Sequence, residues 1–140
     1  MEHINLVLKD TVFNPNVPPD EGNKVHVRMH DDTPYFQVWL YLEGDDLPWV
    51  RGVKWILDSS SFEEPERFVP RSPSNPNCQL RIWTWGRFPV HAEVQDKRGF
   101  SYVLKHQMRF QQELPEDNSR YEYEKEEFAP PERPTFKQAL

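Results

Sequence analysis

The sequence predicts an all-β fold, an immunoglobulin-like antiparallel sandwich of about seven or eight strands. Three observations predict it. Apolar residues recur at every second position from Lys24 to Leu57 and again from Gln79 to Phe110, the period of a half-buried strand. The 14 prolines outnumber the five glycines, which works against long helices and favours strands joined by stiff loops. The strand-like runs are short and divided by turn-forming residues, as in a sandwich. A chain of 140 residues suits one domain with a real core.

The elements follow in order. Ile4 to Phe13 places Ile4, Leu6 and Leu8 on one parity and reads as a first strand. Pro15, Pro18, Pro19 and Gly22 make Asn14 to Asn23 a loop. Lys24 to Met29 alternates Val25, Val27 and Met29 against Lys24, His26 and Arg28. Asp31-Asp32-Thr33-Pro34 is a turn. Tyr35 to Leu42 sets Phe36, Val38, Leu40 and Leu42 against Tyr35, Gln37, Trp39 and Tyr41, so both faces of this strand carry aromatics. Glu43 to Pro48 is a loop, and Val50 to Leu57 a strand with Val53, Trp55 and Leu57 in step. Ser59 to Cys78, with Pro65, Pro70, Pro73 and Pro76, reads as one long connection. Gln79 to Thr84 and Phe88 to Val94 are strands. Asp96 to Gly99 is a hairpin turn, after which Tyr102, Leu104, His106, Met108 and Phe110 share a parity.

The character changes after Phe110. Glu113, Glu116, Asp117, Glu122, Glu124, Glu126 and Glu127 outweigh Arg120 and Lys125, and Pro130, Pro131 and Pro134 follow. The expected organisation is a sandwich over residues 1–110 and an acidic, Pro-rich tail over residues 111–140. The tail is expected to add little stability, with Tyr121, Tyr123 and Phe128 as its candidate tethers. It reads as a solvated segment or as an acidic arm for a basic partner.

Several function classes lose support. The net charge of -6 gives no general attraction to nucleic acid or to an anionic membrane surface. Lone Cys78 permits no intrachain disulfide, which fits a reducing compartment and a cytoplasmic location. No 18-residue apolar run or leader-like N-terminus is present, so no membrane contact is expected. His26 and His30, four apart on a strand, stand roughly 13 Å apart by rise alone, too far to share a metal. His91 and His106 lack a Cys or carboxylate cluster. Ser59-Ser60-Ser61 has no nucleophile-elbow context. There is no Gly-rich phosphate loop, and Glu63, Glu64 and Glu66 read as a solvated face. No catalytic residue, metal site or cofactor is assigned, and an enzyme is the least supported class.

The informative run is Trp83-Thr84-Trp85-Gly86-Arg87-Phe88. A glycine lets the backbone turn sharply or approach a ligand closely, and loop aromatics are candidates for recognition. Three segments in order carry a resemblance: Val53-Lys54-Trp55-Ile56-Leu57 running into Ser61-Phe62 with Pro65, then Thr84-Trp85-Gly86-Arg87-Phe88, then Leu104-Lys105-His106-Gln107-Met108. With them, Val50 to Phe110 resembles a YEATS domain, most like the prokaryotic branch. Tyr35 to Leu42 is similar to the early Trp-bearing strand of that family.

The resemblance implies a ligand groove at one end of an immunoglobulin-like sandwich. In the eukaryotic readers an acylated lysine enters between two aromatic side chains. Carried over by position, Phe62 and Trp85 are the walls and Ser61 the hydroxyl partner. The Trp85 and Gly86 backbone N–H groups are donors, and Phe88 supports the turn. The sequence departs from the pattern at three points: Asp58 falls near the pocket histidine, Thr84 replaces a glycine, and Arg87 adds a rim charge. An ionised Asp58 would favour a cationic guest. The implied partner is a protein or peptide, with acylated lysine as the family's ligand, in signalling or biological conflict systems. Two alternatives stay open. Phe62 and Trp85 pack the loops onto the sandwich end, or the chain is an adaptor docking through Trp39 and Tyr41 or the acidic tail.

Overall fold

The computed structural model describes residues 4–18, 22–60, 62–86 and 88–124. Among them run nine strands: β1 (Val7–Thr11), β2 (Val25–His30), β3 (Thr33–Glu43), β4 (Val50–Ile56), β5 (Glu66–Pro70), β6 (Leu80–Thr84), β7 (Pro89–Asp96), β8 (Ser101–Gln107) and β9 (Tyr121–Glu124). The all-β expectation is met, with two sheets forming a sandwich.

β3 organises the first sheet. Its N-terminal half pairs with β2 and its C-terminal half with β1, while β6 runs along its opposite edge, all antiparallel. β9 then extends β2 in parallel. The second sheet has the order β5-β4-β7-β8. Between the sheets lie Val38, Leu40 and Leu42 of β3, Val53 and Trp55 of β4, and Val90, Ala92 and Val94 of β7, all buried. These are the parities the alternation assigns inward. Trp55 is wholly buried and donates its indole N–H to the Cys78 carbonyl at 3.0 Å, so the one polar atom of the largest core side chain is satisfied. Burial pushes the Cys78 thiol up to about 11, with Arg71 pulling slightly the other way.

Turn chemistry sets the register. Asp31 and Asp32 both take positive φ (49° and 68°), joining β2 to β3 by a tight turn of primed type. The β7–β8 hairpin is held by Asp96, whose carboxylate accepts the N–H groups of Arg98 (2.9 Å) and Phe100 (3.0 Å) and the Tyr102 hydroxyl (3.1 Å). Gly99 supplies the positive φ of 96°. Asp10 ties the sheets together from β1. It accepts the N–H of Arg109 at 3.0 Å and of Phe110 at 2.7 Å, and meets His106 Nε2 at 2.6 Å.

Three features depart from the sequence pattern. β5 lies inside the stretch expected as a connection and pairs with β4 over five positions, from Gly52↔Pro70 to Ile56↔Glu66. Its proline stands at the strand end on the sheet edge, where a missing N–H costs little. β9 lies on the acidic segment expected as a tail. Tyr121 packs against the core and donates its hydroxyl to the Pro115 carbonyl at 2.6 Å. Arg28 and Glu124 pair across the strands at 2.8 Å. Tyr121 and Tyr123 are thus part of a strand, while Phe128 lies outside the described residues. The third correction concerns the aromatic face of β3. Tyr35 and Trp39 are buried there, as is Trp83 beside them, with the Arg28 guanidinium 4.3 Å above the Trp83 ring. An adaptor surface built on Trp39 has almost none of that side chain to offer.

Candidate functional site

The candidate residues gather where β4 ends and β7 begins. Just past the end of β4, the Leu57 N–H donates to the Pro65 carbonyl at 2.7 Å. This bond draws the ends of the β4–β5 connection together. Asp58 shapes it: one carboxylate oxygen accepts the Ser60 N–H at 3.3 Å, the other the Ser60 hydroxyl at 2.8 Å. The Asp58 carbonyl accepts the Phe62 N–H at 3.1 Å. An aspartate followed two residues later by a serine is the signature of such a turn. The carboxylate read from sequence as a pocket charge is engaged in holding its own loop.

Phe62 is drawn inward by this loop. It is only 3% exposed and meets Phe88 edge to face, with ring centroids 5.2 Å apart and planes at 65°. The Arg67 guanidinium lies 5.9 Å from the same ring, a contact that the motif reading did not anticipate. Phe88 is 6% exposed. The pair joins the β4–β5 and β6–β7 loops, so the structure brings these two candidate segments together.

Across from the buried pair, β6 closes on Thr84, which is itself buried. Its hydroxyl donates to the Gly86 carbonyl at 3.1 Å and accepts the Gly86 N–H at 3.4 Å. Thr84 thereby makes with its side chain the turn that a glycine would otherwise make with its backbone. Gly86 does not take a positive φ, and among the described residues a Cβ there would meet nothing within 4 Å. The φ of this turn does not demand glycine. Trp85 stands beside Gly86 at 39% exposure. Ser61 and Arg87, the expected hydroxyl partner and rim charge, lie outside the described residues.

The arrangement is a fixed aromatic floor, an exposed indole and the peptide of Gly86. Glu63 and Glu64 are exposed on the loop that carries Phe62, and Glu66 on β5 pairs with Lys54 at 3.6 Å. Comparison with known proteins places the fold that carries it. A family model described as the prokaryotic YEATS domain matches residues 35–109. The chain belongs to this family. The match starts in β3 and runs past β8, so it takes in both loops of the candidate YEATS site. No curated protein matches the sequence. Among the described residues, no helix of this YEATS domain is long and apolar enough to cross a membrane.

Proposed function

We propose that this chain is a non-enzymatic reader module that binds a flat ligand, an acylated lysine of a protein or peptide, against Trp85. The observation that carries the reading is the division of labour at the loop end. Phe62 and Phe88 are locked together, while Trp85 is left exposed beside Gly86. Acylation suits such a site because it removes the lysine charge that opposes contact with an apolar surface, and the planar amide stacks on an indole face. The Gly86 N–H, whose bond to the Thr84 hydroxyl is long at 3.4 Å, is a donor for the acyl oxygen. Ser61 remains the proposed partner of the amide N–H.

In this reading Phe62 is not the second wall of a slot but the support that fixes the β6–β7 loop. The exposed Glu63 and Glu64, on the loop that carries Phe62, favour a peptide with further lysines or arginines next to the modified one. Calorimetric titration with acetyl-lysine, crotonyl-lysine and unmodified peptides tests this. Binding of an acylated peptide that weakens about tenfold or more in Trp85→Ala is expected. Acyl-peptide binding that survives Trp85→Ala, or equal binding of the unmodified peptide, would refute the assignment.

A further inference from the structure

We propose that the cleft at the opposite end of the sandwich binds the phosphate group of a small phosphorylated molecule. The cleft has a volume of about 360 Å³ and opens where β4 begins, beside the β7–β8 turn and the loop after β5. Arg51, Arg71 and Lys97 line it together with Ser72, and no Asp or Glu among the described residues does. This concentration of positive charge occurs in a chain whose net charge is -6. Three like charges around one cleft repel one another unless an anion sits among them.

The two guanidiniums are each held by a backbone carbonyl, while the Lys97 side chain is exposed. Arg51 Nη2 donates to the Lys97 carbonyl at 3.2 Å and Arg71 Nε to the Pro76 carbonyl at 3.0 Å. The backbones beneath are joined by Arg71 N–H to the Arg51 carbonyl and Lys97 N–H to the Trp49 carbonyl, both at 2.9 Å. A carbonyl orients a guanidinium without neutralising it, and each arginine keeps further N–H donors for a ligand. The carboxylates on the segments that flank Trp49 and Lys97 in sequence are committed elsewhere. Asp96 holds its own turn and Arg98, Asp46 accepts the Asn5 N–H at 2.7 Å, and Asp45 accepts the Asn5 side-chain amide at 3.2 Å.

Two arginine forks and an ammonium around one cleft match a tetrahedral dianion better than a singly charged, planar carboxylate. A second cavity of about 310 Å³ shares Lys97 with the first and is lined by Ile4, Trp49 and Arg98, with the carboxylates of Asp46 and Asp96 also at its wall, bonded to Asn5 and to the Asp96 turn itself. Trp49 is 60% exposed. A planar or apolar body attached to the phosphate finds its surface there. The ligand class is thus a phosphorylated small molecule with a flat moiety, the chemistry of a nucleotide.

The test is an amide-resolved NMR titration of the full chain with pyrophosphate and with ADP, at low salt. Saturable shifts at Arg51, Arg71, Ser72 and Lys97 are expected with both, extending to Trp49 with ADP, which binds several-fold tighter. Lys97→Ala, at an exposed side chain that leaves the fold intact, weakens both probes roughly tenfold, as does Arg71→Gln. Trp49→Ala removes only the advantage of ADP. Absence of saturable shifts overturns the site, as do shifts reproduced by chloride at matched ionic strength or binding indifferent to Lys97→Ala. ADP binding no tighter than pyrophosphate overturns the flat moiety.

Discussion

The two ends of this sandwich hold aromatic and charged side chains in opposite ways. At the end that carries Phe62, Trp85 and Phe88, Phe62 is buried against Phe88 and Trp85 is left partly exposed. At the other end Trp49 and Phe100 both stand out, and the charges around the cleft are Arg51, Arg71 and Lys97. One end has its second aromatic locked in place; the other has its two guanidiniums anchored and its aromatics in solvent. In the two proposals the first end offers an exposed indole over a fixed support and the second offers anchored guanidiniums, and a pre-ordered group loses less entropy on binding.

The largest expected effect separates the two aromatics of the first end. Phe62→Ala removes a buried ring and should destabilise the domain by about 3–5 kcal/mol in chemical denaturation. Trp85→Ala should change stability by less than about 1 kcal/mol, since its ring is partly solvated. Equal losses would mean that both rings are packing elements and would dissolve the contrast.

Next in size is the clasp near that end. Asp10→Ala leaves the N–H groups of Arg109 and Phe110 without their acceptor and should cost about 3 kcal/mol. A loss near zero in the same denaturation assay would show that β1 and β8 are held by apolar packing alone.

The ends should also differ in which pH extreme loosens them. Burial pushes the Asp96 carboxyl up, but hydrogen bonds from Phe100, Arg98 and Tyr102 outweigh it and hold the group below the usual carboxylate range. A depressed carboxyl stabilises the fold above its unfolded value of about 4, and that contribution is lost as pH falls through its folded value. Urea midpoints for wild type should therefore drop below pH 4. Asp96→Asn should start lower at pH 7 and fall less on acidification; parallel acid limbs would remove Asp96 from the explanation.

The smallest effect belongs to the first end at alkaline pH. Burial, aided by the charge of Asp31, pushes the Tyr35 hydroxyl up to about 12. A raised phenol keeps its full contribution below its unfolded value of about 10 and loses it between there and about 12. Tyr35→Phe should flatten the stability decline across that window, and an unchanged decline would assign it to other groups.

Much of this was legible in the sequence because period 2 is a direct image of a half-buried strand. β2, β3, β4, β7 and β8 show it plainly, and the Asp31-Asp32 and Asp96-Gly99 turns separate them. β5 was hidden because its residues lie between prolines and Phe68 faces outward at 57% exposure. β9 was hidden because Tyr-Glu-Tyr-Glu carries no aliphatic alternation and its partner, β2, lies almost a hundred residues earlier. At the candidate site the order of motifs pointed to two loops, which the structure brings together at Phe62 and Phe88. The fate of Phe62 was not legible, since a Ser-Phe pair does not encode which way its ring turns. That depends on the Asp58 turn and on Phe88, a contact across 26 positions. The basic cleft was invisible for the same reason: Arg51, Arg71 and Lys97 are evenly scattered in sequence and are gathered only by the topology of the second sheet.

The most direct test of the recognition account is an amide-resolved NMR titration with a crotonyl-lysine peptide. The account predicts saturable shifts centred on Trp85, Gly86 and Phe88 and spreading to Asp58–Phe62, with Arg51 and Lys97 unmoved. Shifts centred on any other surface, or none at millimolar peptide, would contradict it.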